Sequence, residues 1–287
     1  MEEKDLATAL ESTASSIDIY IVGTGITPGL HMTRETEAAL RSAKEILYVD
    51  KSFGIDELLA KYCENTTDLH KSSYVEGHNR LDAYRNMAAT VVNAALSHPP
   101  VAFALYGHPL VYSLPPFMVI SAAEAIGLKV KVLPGISSLD TLFVDLRFDP
   151  CTNGVQMYEA TDILLRQRPL QADVPCFIWQ IGAVESRLYS TAQSTASRFT
   201  KIKEYLLKFY PADHRMIAVY SSSMPLVPST LTEFTLETID DVAADLHQGV
   251  TVFIPSVEAR KIADQSILED MDDNGHLVQL TVGVAVT

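Results

Sequence analysis

Short strand-like runs alternate with helix-length amphipathic segments along most of this chain, and this alternation limits the fold more than any other feature. The runs "IDIYIVG" (17–23), "EILYVD" (45–50) and "VAFALYG" (101–107) are rich in β-branched and aromatic residues, and helical patterns separate them. Parallel strands need long crossover connections, which helices usually supply. The sequence therefore predicts an α/β fold with a mainly parallel sheet.

The helical pattern "PPFMVISAAEAIG" marks a break after which the alternation resumes. We therefore predict an N-terminal α/β half over residues 17–113 and a C-terminal α/β half over 114–255, with a ligand cleft between them. Residues 1–16 are predicted to be a flexible N-terminus. Residues 256–275, with plentiful charges and sparse apolar positions, are predicted to be a linker with a surface helix, and residues 276–287 a tail.

Composition argues against several classes of protein. The formal net charge of −14 leaves no electrostatic footprint for a nucleic acid. The three cysteines are far apart and suggest neither a disulfide framework nor a metal site. No apolar run approaches the ~20 residues that span a bilayer, and the start lacks a signal-peptide core. We expect a cytoplasmic protein without a membrane or nucleic-acid partner and without a metal.

Three glycine-bearing turns are predicted at the same edge of the sheet. Gly23 and Gly25 follow the first strand, and "YGHP" (106–109) and "LPGIS" (133–137) follow two later ones. Together they suggest a ligand cradle, although structural turns would explain each one alone. Asp50 ends the second strand, where a ribose-binding acid would sit, so a dinucleotide-binding oxidoreductase stays open despite the imperfect G-x-G-x-x-x-G spacing.

The stretch "YVEGHNRLDAY" contains a second set of candidate residues. Arg80 and Tyr84 are four positions apart on a predicted helix and share a face, and Tyr74 lies in the preceding loop. A guanidinium near a phenol favours phenolate, which is one way to make tyrosine a base. An arginine stacked on surface tyrosines is the structural alternative.

The segment "HLVQLTVGVAVT" (276–287) carries no formal charge. Its composition fits a final strand of the sheet, a strand that pairs with a partner's sheet edge in a non-enzymatic module, or an apolar substrate.

Four short motifs, "VGTG", "YGHP", "LPGIS" and "WQIG", resemble in this order the tetrapyrrole methylase superfamily. Longer blocks, "YVEGHNRLDAY", "PGISSLDTLFVDLRFDP" and "YEATDILLRQRPL", resemble borosin precursors, of which the omphalotin precursor is a fungal example. The resemblance implies a class III methyltransferase with S-adenosylmethionine between two α/β halves and S-adenosylhomocysteine as product. It also implies iterative, autocatalytic α-N-methylation of the chain's own C-terminal core peptide, as in ribosomally synthesised and modified peptides (RiPPs).

The resemblance also implies roles for individual residues. Tyr74, Arg80, Tyr84 and Tyr106 match the catalytic cluster, with Tyr74 as the base made more acidic by Arg80, and Arg80 or Tyr106 as stabiliser of the amide oxygen. The matching cofactor positions are Gly23, Gly25, Tyr106, His108, Val111, Tyr112, Ser137, Ser138 and Gln180. The modified tail would contain Leu277, Val278, Leu280, Thr281, Val282, Gly283, Val284, Ala285 and Val286. Leu110 replaces the family's usual glycine after "YGHP", which puts the local backbone conformation in question.

Related proteins act as homodimers in which each tail enters the partner's cleft, so we expect the same arrangement here, with a protease acting later on the product. A tetrapyrrole or small-molecule methylase acting on a separate substrate is the alternative.

Overall fold

The first sheet is entirely parallel. The computed structural model describes residues 17–282 of the chain. The strands of the first sheet are β1 (Ile19–Gly23), β2 (Glu45–Val49), β3 (Thr66–Asp68), β4 (Val101–Leu105) and β5 (Val130–Leu133). Their order is β3-β2-β4-β1-β5. The expectation of a parallel sheet is confirmed for this half.

Helices cover both faces of the first sheet. They are α1 (Arg34–Ser42), α2 (Ile55–Ala60), α3 (Leu69–Ser73), α4 (Arg80–Ser97) and α5 (Pro115–Ala125). Ile19 and Ile21 pack with α4 and α5, whereas Tyr20 and Val22 pack with α1 and α2. Strand side chains alternate between faces, so a strand covered on both faces is apolar throughout, as β1 and β4 are.

The second sheet is mixed. Its strands are β6 (Gln156–Glu159), β7 (Cys176–Trp179), β8 (Arg215–Tyr220), β9 (Thr230–Thr235) and β10 (Thr251–Ile254). The order is β6-β7-β10-β8-β9, and only β6 and β7 run parallel. The expectation of a mainly parallel sheet is wrong for this half, because β8 and β9 are joined by a short loop rather than by a helical crossover.

The two halves divide later than residue 113. β5 pairs with β1 in the first sheet, so α5 and β5 complete that half. The next helix, α6 (Ser138–Leu146), places Leu142 against Phe177 and Phe253 of the second sheet. The helices α7 (Pro150–Asn153), α8 (Ala160–Arg166) and α9 (Thr200–Leu206) follow in that half. The predicted boundary is therefore corrected to the turn between β5 and α6.

The C-terminal segment is less helical than predicted. Residues 256–264 form no helix, and the two short helices beyond them are α10 (Gln265–Asp270) and α11 (Asn274–Leu280). Side chains of Asp264 and Asp273 accept hydrogen bonds from backbone N–H groups in the first turns of these helices, which fixes where each begins. Neither helix contains a buried residue.

The first residues of the predicted tail are not a strand. Leu277, Val278 and Leu280 lie on α11 and are exposed, and Thr281 and Val282 follow it. The predicted tail residues Gly283, Val284, Ala285 and Val286, like the predicted flexible N-terminus at 1–16, lie outside the described residues. Among the described helices, none combines the length and apolar character needed to cross a bilayer.

Candidate active site

The three glycine turns meet at the carboxyl ends of β1, β4 and β5. Gly25 and Gly107 exchange backbone hydrogen bonds, with N···O distances of 3.2 and 3.0 Å. A Cβ atom on Gly23 would lie 2.9 Å from the Cα of Gly135 and would also clash with the Gly107 carbonyl. The backbones of these turns lie so close together that a side chain would not fit between them, which is the first reason for the glycines.

Asp50 is bound by its own protein. The Thr24 hydroxyl donates to one carboxylate oxygen at 2.7 Å, and the Ser52 N–H donates to the other at 2.7 Å. Burial raises the pKa of Asp50, and these hydrogen bonds oppose the shift without cancelling it. Each oxygen therefore already accepts a hydrogen bond from the protein, and Asp50 also lines the smaller of the two cavities described next.

Two adjoining cavities open between the halves. The smaller, about 420 Å³, contains in its wall five of the predicted cofactor residues, Tyr106, Val111, Tyr112, Ser138 and Gln180. The larger, about 530 Å³, is lined by all four predicted catalytic residues, Tyr74, Arg80, Tyr84 and Tyr106. Tyr106, Tyr112 and Gln180 line both cavities, so a group in one lies next to a group in the other.

The other predicted cofactor residues hold the turns rather than line either cavity. They are Gly23, Gly25, His108 and Ser137. The His108 ring accepts a hydrogen bond from the Leu110 N–H at 3.1 Å, and Ser137 caps α6 in a capping box with Asp140. Leu110 does not adopt a positive φ, so its replacement of a glycine causes no backbone strain.

Tyr112 and Gln180 form a strained pair at the junction of the cavities. Both have a left-handed backbone, with φ of 50° and 56°, which non-glycine residues rarely adopt. The Gln180 side chain donates to the Tyr112 carbonyl at 3.1 Å. The Tyr112 ring stacks on Trp179, with centroids 4.7 Å apart. Burial raises the pKa of Tyr112 to about 12. Strained residues held by such contacts are common at functional sites.

Tyr74 lies at the centre of an aromatic cluster. Its ring stacks on Tyr189 at 4.6 Å between centroids and meets the Tyr84 ring edge-on at 6.2 Å. Burial, and then the nearby Tyr84, raise the pKa of Tyr74, and the opposing effect of Arg80 is smaller. Arg80 does lower the pKa of Tyr74, but desolvation outweighs the guanidinium and the net shift is upward. Burial likewise raises the pKa of Tyr106.

A loop of the second half forms one wall of the larger cavity. This loop, residues 186–191, pairs with residues 76–80: the Gly77 N–H donates to the Tyr189 carbonyl and the Tyr189 N–H to the His78 carbonyl, both at 2.8 Å. The Arg80 guanidinium donates to the Ser186 carbonyl at 2.7 Å. The run "ESRLYSTAQSTASRF" (185–199), which contains this loop, is mostly polar and by itself suggests an exposed loop. The partners lie more than 100 positions apart, so no local pattern could reveal the pairing.

The larger cavity is cationic in an acidic protein. The chain has 36 acidic and 22 basic residues, yet the described residues that form the wall of this cavity include Lys51, Arg80 and Arg198 and no aspartate or glutamate. Within residues 17–282, none of these three cations forms an ion pair. Residues 17–282 also contain no group of three or more His, Cys, Asp or Glu side chains arranged to bind a metal ion. The cavity is therefore suited to a group that carries or develops negative charge.

Several curated fungal proteins are similar to this chain. The gymnopeptides precursor methyltransferase of Gymnopus fusipes is 28% identical over 84% of this chain and 58% of its own length. The omphalotin A precursor methyltransferase of Omphalotus olearius is 26% identical over 93% of this chain and 64% of its own length. A type I borosin precursor methyltransferase of Coprinopsis marcescibilis is 32% identical over 76% of this chain and 56% of its own length. The chain thus spans about 56–64% of the length of these relatives, and the resemblance to borosin precursors is confirmed.

Solved structures share the fold. The methyltransferase CobJ superposes with a TM-score of 0.60 at 15% identity, over 85% of this chain and 96% of that one. Uroporphyrin-III C-methyltransferase from Thermus thermophilus, complexed with S-adenosylhomocysteine, has a TM-score of 0.58 at 17% identity. The match covers 83% of this chain and 97% of that one. The sequence profile of the Tetrapyrrole (Corrin/Porphyrin) Methylases matches residues 18–240, and the chain therefore belongs to that family.

Proposed function

We propose that this chain is an S-adenosylmethionine-dependent methyltransferase that methylates backbone amide nitrogens of its own C-terminal peptide, repeatedly and between the subunits of a homodimer. One observation carries the proposal: a cavity lined by phenols and unneutralised cations adjoins a second cavity of cofactor size. The names of the relatives support it, because each describes a methyltransferase joined to a peptide precursor.

The chemistry of an amide explains why the larger cavity is suitable. The nitrogen lone pair is delocalised into the carbonyl, so the nitrogen is a poor nucleophile and the oxygen gains negative charge as the proton leaves. Arg80, Lys51 and Arg198 line the cavity without a carboxylate to neutralise them, and they stabilise such charge. Tyr74 is protonated at neutral pH because its pKa is raised. Its hydroxyl therefore serves as a hydrogen-bond donor to the amide oxygen.

The smaller cavity fits the cofactor. Its volume of about 420 Å³ lies in the usual range for small-molecule sites. Its wall combines apolar side chains such as Val111 with convergent polar groups such as Ser138 and Gln180, which suits a nucleoside joined to a polar amino acid. When bound, S-adenosylmethionine supplies a methyl group activated by its sulfonium. Tyr106, Tyr112 and Gln180 border both cavities and would hold this group near the substrate.

The tail has the properties of a substrate. Leu277, Val278 and Leu280 are exposed on α11, a helix of seven residues that buries nothing. Isolated helices shorter than ~12 residues are marginal in water, so the backbone N–H groups of α11 are easily released. The proposed window runs from Leu277 to Val286. Of residues 256–282, none lines either cavity, which is the arrangement expected if a tail is used by the partner subunit.

A second candidate function is methylation of a separate tetrapyrrole. The same observation favours it, since the cations Lys51, Arg80 and Arg198 would bind the carboxylates of such a substrate. The exposed apolar side chains of α11 have no role in that reaction.

Intact-mass spectrometry separates the two candidates. The purified chain is incubated with S-adenosylmethionine, and we expect a ladder of added methyl groups that fragmentation assigns to residues 277–286. A variant lacking residues 276–287 should gain no mass and still bind S-adenosylhomocysteine. A full-length chain that gains no mass but methylates an added tetrapyrrole would contradict the proposal.

A further inference from the structure

The hydroxyl of Tyr189 is held between two groups that the sequence did not single out. The Lys51 ammonium donates to it at 3.2 Å, and the His70 Nε2 atom lies 3.4 Å away. All three side chains line the larger cavity. Lys51 and His70 come from the first half and Tyr189 from the 186–191 loop of the second, so this chain of contacts forms only where the halves meet.

The contacts orient the Tyr189 proton. A phenol has one proton to donate and two lone pairs, whereas an ammonium group can only donate. With His70 protonated on Nδ1, its Nε2 atom accepts the Tyr189 proton, and because Lys51 occupies one lone pair of the hydroxyl, the second lone pair is free to accept a proton. A hydrogen bond from an ammonium group also stabilises negative charge that develops on the phenol oxygen.

His70 is suited to receive that proton. Burial lowers its pKa, Lys51 and Lys71 lower it further, and Asp68 opposes them. The rings of Tyr74 and Tyr189 also contact the His70 ring, with centroids 4.7 and 5.8 Å away. The imidazole is therefore neutral at pH 7 and can accept a proton at Nε2. His70 is only half buried, so the proton can pass on to water after each reaction.

We propose that Tyr189 is a further catalytic residue, which removes the amide proton of the substrate and passes its own proton to His70 while Lys51 holds its hydroxyl in place. This inference rests on the proposed function. The amide N–H proton moves to the Tyr189 oxygen, and the former hydroxyl proton moves to His70 Nε2. The nitrogen electron pair forms the bond to the methyl carbon, the carbon–sulfur bond breaks, and its electron pair stays on sulfur.

This assignment divides the work among the tyrosines. Tyr74 lacks an ammonium partner, and burial raises its pKa, so it donates to the amide oxygen. Tyr189 stacks on it at 4.6 Å and takes the proton from the nitrogen side. Proton transfer by a positioned side chain contributes ~10²–10⁴-fold to a rate.

The first test is Tyr189→Phe, which keeps the ring on Tyr74 and removes only the hydroxyl. We expect the rate of methyl addition in a single turnover to fall about 100-fold or more, with unchanged affinity for S-adenosylhomocysteine. A rate within about twofold of the wild type would overturn the inference. So would a loss of cofactor affinity equal to the loss of rate, because both results assign Tyr189 a structural role only.

The second test is the pH profile of His70→Gln, with His98→Gln, at the C-terminal end of α4 and outside the lining of both cavities, as the matched control. The rate of the wild type should fall as the pH drops through the lowered pKa of His70, because the imidazolium cannot accept a proton. The His70 variant should methylate slowly, and its rate should no longer fall at low pH in this way. The control should keep the wild-type rate and the wild-type fall in rate at low pH. If the rate of the His70 variant falls at low pH just as that of the wild type does, the inference is contradicted. A wild-type chain that adds no methyl groups instead refutes the proposed function itself.

Discussion

The ring of Tyr189 stacks on the ring of Tyr74, with centroids 4.6 Å apart and planes inclined by 28°. Tyr74 ends α3 in the first half, and Tyr189 lies in a loop of the second half. The backbone of that loop pairs with residues 77–80, so the two rings are fixed by main-chain hydrogen bonds. The site is therefore a product of both halves, and changes at their contact should affect chemistry before they affect folding.

Tyr74→Phe should impair methylation while leaving the fold intact. The phenol of Tyr74 is buried and protonated, and its loss removes one donor to the developing oxyanion. Removal of a single such donor typically lowers kcat by ~10²–10³. The measurement is the rate of methyl addition by intact mass, with Tyr62→Phe as control. Tyr62 packs under Arg41, away from the cavities, and its variant should methylate normally. An equal loss of methylation rate in both variants would show that the effect does not come from the Tyr74 hydroxyl in the cavity.

Glu76→Gln should loosen the 186–191 loop. Glu76 accepts hydrogen bonds from the Thr191 N–H at 2.9 Å and hydroxyl at 3.2 Å, and hydrogen bonds from Ser190 and Thr191 lower its pKa. A lowered carboxyl pKa means that the contact is present at neutral pH and is lost as the pH falls through the folded-state pKa.

The measurement for Glu76→Gln is proteolysis of the loop together with the methylation rate. Faster cleavage near residue 191 and a reduced rate at pH 7 are expected, with little change in thermal midpoint. If the loop of the variant resists proteolysis as well as that of the wild type, Glu76 does not hold the loop in place.

The strands and turns of the first half are predictable because their signals are local. Buried parallel strands such as β1 and β4 read as continuous apolar runs, and the turns after them contain glycine. The pairing in the second half is different. In β9 only Phe234 is buried, so the strand lacks the continuous apolar run of β1 and β4, and its antiparallel partner β8 determines its role.

The site was predictable only in part, for the same reason. Tyr74, Arg80 and Tyr84 are close in sequence, and the larger cavity does bring them together. His70 lies four positions before Tyr74, a helical spacing that could have revealed it. Tyr189 and Lys51 could not be found this way, because their contact joins positions 138 apart. The direction of the Tyr74 pKa shift was also out of reach, since its largest cause is burial.

Gly23→Ala should destabilise the fold far more than Gly127→Ala. A Cβ at position 23 would meet the backbone of Gly135 at 2.9 Å and that of Gly107, and backbone atoms cannot give way cheaply. Gly127 has open space around it but a φ of +82°, so its variant pays only the strain of a left-handed alanine, about 1 kcal/mol. Urea unfolding measures both. Similar losses of unfolding free energy would show that the turns tolerate a side chain.

S-adenosylhomocysteine should change the fluorescence of Trp179, and NAD should not. The chain contains one tryptophan, which lines the smaller cavity and stacks on Tyr112. Any ligand that enters this cavity therefore alters the surroundings of a single fluorophore. A titration with each compound distinguishes the methyltransferase from the dinucleotide-binding alternative. Saturable quenching by NAD at lower concentration than by S-adenosylhomocysteine would favour the oxidoreductase instead.

Methylation between subunits can be tested by mixing two inactive variants. The linker is anchored to its own second half, since the Val257 N–H donates to the Ala172 carbonyl at 2.8 Å and Arg260 pairs with Asp173. The described part of the tail, residues 276–282, lines neither cavity of its own chain. One variant, Tyr74→Phe, keeps its tail but has an impaired site, and the other keeps the site but lacks residues 276–287.

Neither variant alone should yield a methylated tail at an appreciable rate. In a homodimer that exchanges subunits, the mixture should restore methylation of the tail on the Tyr74→Phe chain, because the intact site of the partner receives it. Dilution below the dimer dissociation constant should abolish the rescue, whereas a tail that enters the cleft of its own chain gives no rescue at any concentration. Arg260→Ala supplies the final comparison: it frees the linker from Asp173 and extends the reach of the tail, so rescue should persist in that background if the partner's cleft is the destination.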